Sequence, residues 1–327
     1  DITLEELLAD KSLFEFEDKA VATRTLSGTM INRLKDKYTN IIGGSADLSP
    51  SNMTHMNGEA SFSKEDYSGR NVHFGVREHA MAGIGNGLAL YGGLKSYVAT
   101  FFVFSDFLKP MARLSSLSNI PLTYVLTHDS IGVGEDGPTH EPIEQLSMLR
   151  ALPNFTTFRP ADGRETAYGW AYALSSKTTP TGLILSRQNL PQLENSGEGA
   201  LKGGYVIYDS ETVDVIILAS GSEVSLAIEG AKAAAEENIG VRVVSMPSMD
   251  IFKEQSAEYK ESVIPSANRK RLAIEAGSSD SWAQFVGLDG DYLCIDQFGA
   301  SAPGDRIFKE YGFTTENVLE KIKNLVK

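Results

Sequence analysis

The sequence predicts an α/β fold with two open, mainly parallel sheets flanked by helices. Short runs rich in β-branched residues alternate with helical patterns along the chain, which is typical of wound α/β sheets. The alternation is interrupted between Pro191 and Gly204 by a segment rich in Pro, Asn, Ser and Gly. Because this composition is typical of linkers, the interruption predicts two structural units.

The predicted elements follow one another in a regular order in both units. In the first unit the predicted strands are residues 40–42, 72–74, 96–99, 122–126, 156–159 and 182–186, and the predicted helices are 21–37, 79–91, 107–117, 143–151 and 164–175. In the second unit the predicted strands are 213–219, 241–245 and 272–275, and the predicted helices are 223–237 and 316–326. Ligands of such sheets lie beyond the carboxyl ends of the strands, so we expect a site there.

The composition is that of an ordinary globular protein and argues against two classes of partner. The 327 residues are enough for two domains, and 42% of them are hydrophobic and 22% charged. The net charge of −13 argues against a nucleic-acid partner, because phosphate backbones need a basic face. The sequence has no apolar run of about 18 residues, so no membrane partner is expected.

Two further features concern the compartment and the extent of the chain. Cys294 is the single cysteine, which leaves no disulfide framework and favours a reducing cytoplasm. Its apolar surroundings indicate a buried structural thiol. The chain begins at Asp1 and shows no basic and apolar leader, so we expect a fragment of a longer protein.

Three polar segments that contain glycine come directly after predicted strands of the first unit. They are residues 43–52, 75–79 and 128–140. Because the carboxyl ends of parallel strands meet at one edge of a sheet, these segments are expected to lie together. The pattern therefore predicts a site in the first unit.

The segment THDSIGVGEDGPTHEP, residues 127–142, combines two histidines, several acids and three glycines. Imidazoles and carboxylates held together can relay protons or bind hydroxyl groups near neutral pH. Two alternatives stay open. His128, Asp136 and His140 could bind a metal, or Asp136 or Thr139 could merely cap the following helix.

Two neighbouring segments could form a binding surface for a flat ring. In FGVREHAM, residues 74–81, Glu78 lies between a strand and an apolar helix, where partial burial would raise its pKa. A carboxylate favoured by the helix dipole is the alternative. Phe101, Phe104 and Phe107 recur at a spacing of three, which would place them on one side of a helix. Such a stripe usually packs in a core, but it could also stack on a heterocycle.

Arginine and serine side chains offer candidate anion ligands. Arg187 ends a predicted strand in SRQNLPQL, residues 186–193, and its guanidinium suits a phosphate or carboxylate. Ser51 is a possible donor in the turn GGSADLSPSN. Arg24 lies inside a predicted helix. Without other information, both arginines would be taken as surface charges.

Taken together, these motifs resemble the transketolase family over nearly the whole chain. The segments that carry the resemblance occur in order and are ATR at 22–24, GGSADLSPSN at 43–52, FGVREHAM at 74–81, THDSIGVGEDGPTHEP at 127–142 and SRQNLPQL at 186–193. Transketolases consist of a pyrophosphate-binding, a pyrimidine-binding and a C-terminal domain. The chain looks like the last two. We expect the thiamine-diphosphate-binding pyrimidine domain at residues 1–192, a linker at 193–205 and the transketolase C-terminal domain at 206–327.

The resemblance implies roles for the residues around the cofactor. Glu78 corresponds to the glutamate that hydrogen-bonds the aminopyrimidine ring of thiamine diphosphate, a catalytic role that requires a protonated carboxyl. Phe101, Phe104 and Phe107 match the aromatic wall of the pyrimidine pocket, and Phe104 is the stacking partner. Phe107 stands where tyrosine is expected. Asp47 is expected to line the cofactor channel.

The resemblance also implies the substrate and the reaction. The positions that match substrate contacts of the family are Arg24, Ser51, His128, Asp136, His140 and Arg187. The arginines and the serine grip the sugar phosphate, and His128 falls in the same region. Asp136 and His140 contact the hydroxyls and the carbonyl of the ketose, and both histidines are expected to be catalytic. The implied reaction transfers a two-carbon ketol unit from a ketose phosphate to an aldose phosphate in the pentose phosphate pathway.

One motif of the family is absent from the sequence. The Gly-Asp-Gly motif and its downstream asparagine hold magnesium and pyrophosphate, and no such pair occurs here. We therefore expect no metal ligands in this chain, no tight binding of thiamine diphosphate and no turnover by the isolated chain. The complete enzyme is expected to use thiamine diphosphate and Mg²⁺, to include the pyrophosphate-binding domain and to form a homodimer.

Four alternative interpretations compete with this one. A subunit of a split transketolase tends to read A-E-Q where this chain has Arg77, Glu78 and His79. Deoxyxylulose-phosphate synthase usually lacks the triplet that begins at His128. Dihydroxyacetone synthase is harder to separate from this half. A non-catalytic scaffold protein is disfavoured because the candidate site residues, Glu78 and Arg187 among them, are intact.

Overall fold

The chain folds into two sheets and a short ribbon. The computed structural model of the chain describes residues 2–327. The strands are β1 Val21–Ala22, β2 Ile41–Ser45, β3 Asn71–His73, β4 Lys95–Phe101, β5 Thr123–Thr127, β6 Thr156–Phe158, β7 Thr181–Leu185, β8 Asn189–Leu190, β9 Tyr205–Tyr208, β10 Val215–Ala219, β11 Val241–Ser245, β12 Arg271–Ile274 and β13 Asp291–Leu293. The helices are α1 Leu4–Ala9, α2 Thr23–Lys37, α3 Ser49–Asn52, α4 Glu78–Tyr91, α5 Ser105–Leu117, α6 Gln145–Arg150, α7 Gly163–Ser175, α8 Glu223–Glu236, α9 Met249–Lys253, α10 Ala257–Val263, α11 Ala283–Val286, α12 Gly304–Glu310 and α13 Thr315–Val326. Within residues 2–327, none of these helices has the length and apolar character needed to cross a bilayer.

The first sheet has six parallel strands in the order β3-β2-β4-β5-β7-β6. Alternate residues of its central strands pack into two separate cores: Ala99 and Val125 belong to one, and Val98 and Leu126 to the other. Burial on both faces explains why these strands appear in the sequence as continuous apolar runs. The α/β class with mainly parallel sheets is confirmed, and the predicted bounds agree with the observed ones to within three residues.

The second sheet has five strands in the order β13-β12-β10-β11-β9. Its strands pair in parallel except β9, which runs antiparallel to β11 at the edge. The sequence patterns missed β9, which directly follows the glycine-rich segment taken as a linker, and β13, which has three residues and begins at Asp291. The helices α1, α9, α10, α11 and α12, each of seven residues or fewer, were also missed. Cys294 follows β13, and burial raises the pKa of its thiol, which suits a structural residue.

The segment 193–205, which was predicted to be a linker, is folded onto the first unit. It contains a 3-10 turn at Glu198–Lys202, in which Ala200 is fully buried. The hydroxyl of Ser196 donates to the carboxylate of Asp162, which also caps α7 by accepting the backbone N–H of Glu165 over 2.9 Å. The connection between the two sheets is therefore held by hydrogen bonds.

The carboxyl edges of the two sheets meet across buried ion pairs. Arg159 follows β6 and contacts Asp129, which lies just beyond β5, and Glu223, which begins α8. Arg150 at the end of α6 donates two hydrogen bonds of 2.6 and 2.8 Å to Glu275, which follows β12. All five side chains are at most 3% exposed. Buried charges are stable only when they are paired, so these contacts fix how the two units sit together.

Candidate active site

The ribbon brings Arg24 and Arg187 together from distant parts of the sequence. β1 pairs antiparallel with β8, and Val21 lies opposite Leu190. The backbone N–H of Arg24 donates to the carbonyl of Ser186 over 3.4 Å, so α2 begins beside the end of β7. A strand pair of only two residues per strand thus determines where both guanidinium groups lie.

Arg24 is a half-buried cation with no acidic partner. Its Nη1 donates to the backbone carbonyl of Ser51 over 2.8 Å and to Nε2 of His128 over 3.2 Å, while its Nε is buried without a hydrogen bond. Burial, and then the charge of Arg187, lower the pKa of Arg24 from its usual value. Among residues 2–327, no carboxylate lies within ion-pair distance of Arg24 or Arg187. We call Arg24, Arg187 and His128 the arginine cluster.

His128 is buried in a backbone conformation that few residues adopt. It follows β5 directly, is 4% exposed and has a φ of 62°. Because Arg24 can only donate, Nε2 of His128 must accept, which assigns the ring proton to Nδ1. Nδ1 lies 2.8 Å from the Thr127 hydroxyl, which in turn donates to the amide oxygen of Asn52 over 2.6 Å. A continuous relay from Asn52 therefore fixes the tautomer of the imidazole.

The surroundings of His128 favour its neutral form. Burial in the first place, and then the charges of Arg24, Arg187 and His140, lower the pKa of His128 to about 3. The imidazole is neutral throughout the physiological range and can hold the Arg24 guanidinium in place. Protonation would place a third positive charge beside the two arginines.

Phe101, Phe104 and Phe107 form a continuous row of rings, which we call the aromatic row. The Phe101 and Phe104 centroids lie 6.2 Å apart with ring planes 8° from parallel, and Phe104 lies 6.1 Å from Phe107. Phe101 also stacks on His128 at 3.6 Å. The expectation that the three residues share a helix side is wrong, because Phe101 ends β4, Phe104 ends a 3-10 turn and α5 begins at Ser105. Phe107 is 60% exposed, so the row ends at the surface.

His140 stands at the inner part of this row. Its ring meets Phe104 edge-on at 5.5 Å and Phe101 at 6.5 Å, and its Nδ1 lies 2.9 Å from the hydroxyl of Thr139. The cap alternative is wrong, because α6 begins at Gln145 and neither Asp136 nor Thr139 caps it. The metal alternative is not supported either. No group of three metal-ligating side chains forms within the part of the chain that the structure describes.

Glu78 is the half-buried first residue of α4, which runs parallel to α5. The amide of Asn86 donates to the carbonyl of Met111 over 3.1 Å, and a Cβ placed on Gly83 would lie 3.5 Å from the Met111 sulfur. Counting back along both helices from these contacts brings Glu78 level with Phe107. The carboxylate thus lies at the same end of its helix as the aromatic row.

The remaining predicted residues are Asp47, Ser51 and Asp136. Asp47 follows β2 with a φ of 61°, and both Asp47 and Asp136 have exposed side chains. Ser51 takes part through its carbonyl group, and within residues 2–327 its hydroxyl makes no hydrogen bond. The arginine cluster, the aromatic row and His140 are therefore in direct contact with one another. In the part of the chain that the structure describes, the side chains of Asp47, Ser51 and Asp136 make no hydrogen bond or ion pair with them.

The sequence patterns missed Asn52 and Thr127, which orient His128. Both lie inside segments already singled out, since Asn52 ends GGSADLSPSN and Thr127 begins THDSIGVGEDGPTHEP. The amide of Asn52 also donates to the Ser45 hydroxyl over 3.1 Å, so its orientation is itself fixed. Thr127 is a polar residue directly before His128 in the sequence, and this was the available signal.

Comparison with known proteins identifies the family of the chain. The model described as the transketolase pyrimidine-binding domain matches residues 19–192. The model described as the transketolase-like C-terminal domain matches residues 203–314. The chain belongs to the transketolase family.

Transketolases also supply the similar curated proteins. Those of Halalkalibacterium halodurans and Bacillus subtilis are 55% and 54% identical to the chain over 314 and 313 residues. Each match covers 94% of the chain and 47% of the relative. The chain thus spans about half the length of the curated transketolases that it matches.

Solved transketolase structures share the fold. That of Pichia stipitis in complex with sedoheptulose-7-phosphate has a TM-score of 0.93 and 43% identity, and covers 99% of this chain and 50% of that one. A split gene transketolase described as an inactive β4 tetramer has a TM-score of 0.73 and 22% identity. This chain covers 99% of that protein, and the likeness concerns the fold alone.

The low pKa of His128 leads to a prediction about stability. Above the unfolded-state pKa of 6.5 the imidazole is neutral in both states. As the pH falls from 6.5 towards 3, only the unfolded chain gains this proton, so the folded state loses up to ~1.4 kcal/mol per pH unit. Denaturant unfolding between pH 4 and 8 should show this loss in the wild type and its removal in His128→Gln. Thr127→Val keeps the imidazole and should keep the pH dependence. Parallel pH profiles for the wild type and His128→Gln would contradict the assignment.

Proposed function

We propose that the chain is the pyrimidine-binding and C-terminal part of a transketolase of the pentose phosphate pathway. It would transfer a two-carbon ketol unit between ketose and aldose phosphates. We propose the cytoplasm as its compartment, because a free cysteine stays reduced there. The arginine cluster carries the proposal. Two cations without acidic partners in a protein of net charge −13 favour a dianionic ligand such as a sugar phosphate. The relative from Pichia stipitis is described as a complex with such a ligand.

The aromatic row and Glu78 are suited to hold the pyrimidine ring of thiamine diphosphate. Phe101 and Phe104 present nearly parallel rings, and Phe104, which is partly exposed, would be the ring on which the heterocycle stacks. Phe107 continues the aromatic surface outward. Glu78 lies level with the row and would hold a proton towards a ring nitrogen. Asp47 would face the channel that leads to this ring. The chemistry that the bound cofactor supplies is an electron sink for the two-carbon unit.

The substrate would lie between the aromatic row and the arginine cluster. Arg24 and Arg187 would bind the phosphate, and neutral His128 would keep Arg24 pointed at it. The Ser51 hydroxyl, which makes no hydrogen bond within residues 2–327, is available as a further donor. His140 and Asp136 would contact the ketose hydroxyls and carbonyl, and His140 could move a proton to or from them.

The cofactor's diphosphate and Mg²⁺ would be held by a pyrophosphate-binding domain outside this chain. The chain spans about half of its relatives, and no three metal-ligating side chains cluster within residues 2–327. We therefore propose that the isolated chain is inactive and completes its site with that domain. In a split transketolase, the same domain would be a separate subunit.

The first test concerns the arginine cluster. Isothermal titration of inorganic phosphate at fixed low ionic strength should show at least a tenfold weaker affinity for Arg187→Ala. A hydrogen bond to a charged group contributes about 1.5–3 kcal/mol. Arg269→Ala removes an exposed arginine of the second unit, paired with Asp289, and should bind like the wild type. Equal affinities for all three proteins would remove the phosphate site from the proposal.

The second test concerns catalysis. The chain mixed with the N-terminal half of the Bacillus subtilis transketolase, thiamine diphosphate and Mg²⁺ should transfer ketol units, whereas neither half should do so alone. Glu78→Gln should lower kcat by a factor of about 100 or more, because proton transfer by a placed side chain contributes about 10²–10⁴. Glu316→Gln, an exposed acid in the first turn of α13, is the matched control.

The outcomes of this assay separate the alternatives. No transfer by the mixture, with phosphate binding intact, would favour a non-catalytic scaffold protein. Transfer with dihydroxyacetone as the preferred product would favour a dihydroxyacetone synthase. Full activity of Glu78→Gln would remove the role assigned to this carboxylate.

We also propose that a second copy of the chain covers an apolar face of α4 and α5. The face consists of Ile84, Tyr91, Phe107, Leu114 and Leu117, each at least 41% exposed. It is continuous with the site through Phe107. The split gene transketolase of nearly the same extent is described as a β4 tetramer, which supports assembly of such chains with one another.

Sedimentation velocity tests this assembly. The wild type should sediment as a dimer or larger species, and the double variant Ile84→Asp with Leu114→Asp should shift towards the monomer, because burying a charge without a partner is unfavourable. Leu288→Asp alters a residue that is 98% exposed in the second unit and should leave the mass unchanged. A monomeric wild type would contradict the proposal.

A further inference from the structure

The loop that carries His128 is fastened to the second unit through its next residue. Arg159 donates from Nε to Oδ2 of Asp129 over 2.9 Å, and its Nη2 lies 2.8 Å from the same oxygen. The other oxygen of Asp129 is buried and makes no hydrogen bond within residues 2–327. The Asp129 carboxylate is therefore held by Arg159, and Arg159 fixes the backbone at the point where His128 adopts its left-handed conformation.

Arg159 is held in turn by the first turn beyond β10. Its Nη1 donates to Oε2 of Glu223 over 2.5 Å and to the carbonyl of Ser220 over 2.8 Å, and its Nη2 donates to the hydroxyl of Ser222 over 3.2 Å. The Glu223 carboxylate also accepts the backbone N–H of Ala276 over 2.9 Å. Arg159 and Glu223 are at most 1% exposed. We call Asp129, Arg159, Ser220, Ser222 and Glu223 the Arg159 network.

Close backbone contacts hold the rest of the loop against the second unit. A Cβ on Gly304 would lie 3.1 Å from the carbonyl oxygen of Gly132, and one on Gly137 would lie 3.1 Å from the side chain of Ser301. The Ser301 hydroxyl donates to the carbonyl of Glu135 over 2.5 Å. The loop from 128 to 141 is thus supported along its length by residues that contribute no group to the site.

We propose that the second unit positions the phosphate-binding groups, and that Arg159 and Glu223 are positioning residues for His128 and Arg24. The chain of contacts runs from Glu223 through Arg159 and Asp129 to His128, and from the Nε2 of His128 to Arg24. This inference rests on the proposed phosphate site. It assigns a role in binding to a unit that has no ligand group of its own in the site.

A second buried ion pair between the units offers a matched control. Arg150 and Glu275 bridge the same two units and are as deeply buried as the Arg159 network. Arg150 lies on α6, contacts Ser281 besides Glu275 and makes no bond to the loop. Glu275 also accepts the hydroxyl of Ser220, a member of the Arg159 network, so the control changes Arg150 and leaves Glu275 in place. Breaking this pair by changing Arg150 should weaken the contact between the two units without displacing His128.

The experiment compares Glu223→Gln with Arg150→Gln in the full chain. Both variants should unfold at lower denaturant concentration. In Glu223→Gln alone, ¹⁵N NMR of the histidine rings should show that His128 loses its single Nδ1–H tautomer. The affinity for inorganic phosphate should fall about tenfold, a size typical of coupling between sites. Arg150→Gln should keep the tautomer and the affinity of the wild type.

Two results would overturn the inference. One is a Glu223→Gln variant that keeps both the tautomer and the phosphate affinity, and the other is an equal change in Arg150→Gln. If Glu223→Gln does not fold, Ser222→Ala removes one bond to Arg159 and is judged by the same two readouts. Should Arg187→Ala bind phosphate like the wild type, the proposed phosphate site fails. The His128 tautomer in the Glu223 and Arg150 variants still decides the positioning role.

Discussion

The buried guanidinium of Arg159 is the constraint on which the arrangement of the two units depends. A charge that is removed from water needs a partner of opposite sign, and here the partners come from both sheets. Asp129 lies beyond β5, and Glu223 lies beyond β10. The carboxyl edges must therefore meet at this point and in this orientation. Hydrophobic burial alone is not directional and would allow several ways of packing one sheet unit on the other.

Four arginines in or near the site divide into two kinds according to their partners. Arg150 and Arg159 face carboxylates in the interior and join parts of the fold. Arg24 and Arg187 have no acid within ion-pair distance among residues 2–327, although the chain carries 43 acidic residues. An electropositive cleft in an acidic protein attracts anions, which the rest of the surface repels. Among these four, the contacts thus separate the arginines that join the two units from the pair that we propose to bind phosphate.

The sequence predicted the sheets well and the contacts between distant segments poorly. Central strands such as β5 and β7 are long apolar runs, so their positions followed from local pattern. The meeting of Arg24 with Arg187 depends on a ribbon of two residues per strand, which has no periodicity to detect. The spacing of the three phenylalanines predicted that their rings lie together. It wrongly predicted a shared helix, because Phe101 ends a strand. Glu223 and Arg159 lie 64 positions apart and gave no local signal. Roles for residues that spacing alone left ambiguous, such as Arg24 and Ser51, came only from the family resemblance and remain proposals.

The left-handed backbone of His128 shows that stability and chemistry favour different residues at one position. For a residue with a side chain, this region costs roughly 1 kcal/mol or more, and glycine or asparagine adopts it with less strain. Selection for a robust fold alone would replace the histidine. Its imidazole instead contacts Arg24 at the end of β5, at a position where the backbone conformation is strained. If the proposed phosphate site is correct, proteins of this architecture that bind no phosphate would have no reason to retain this histidine.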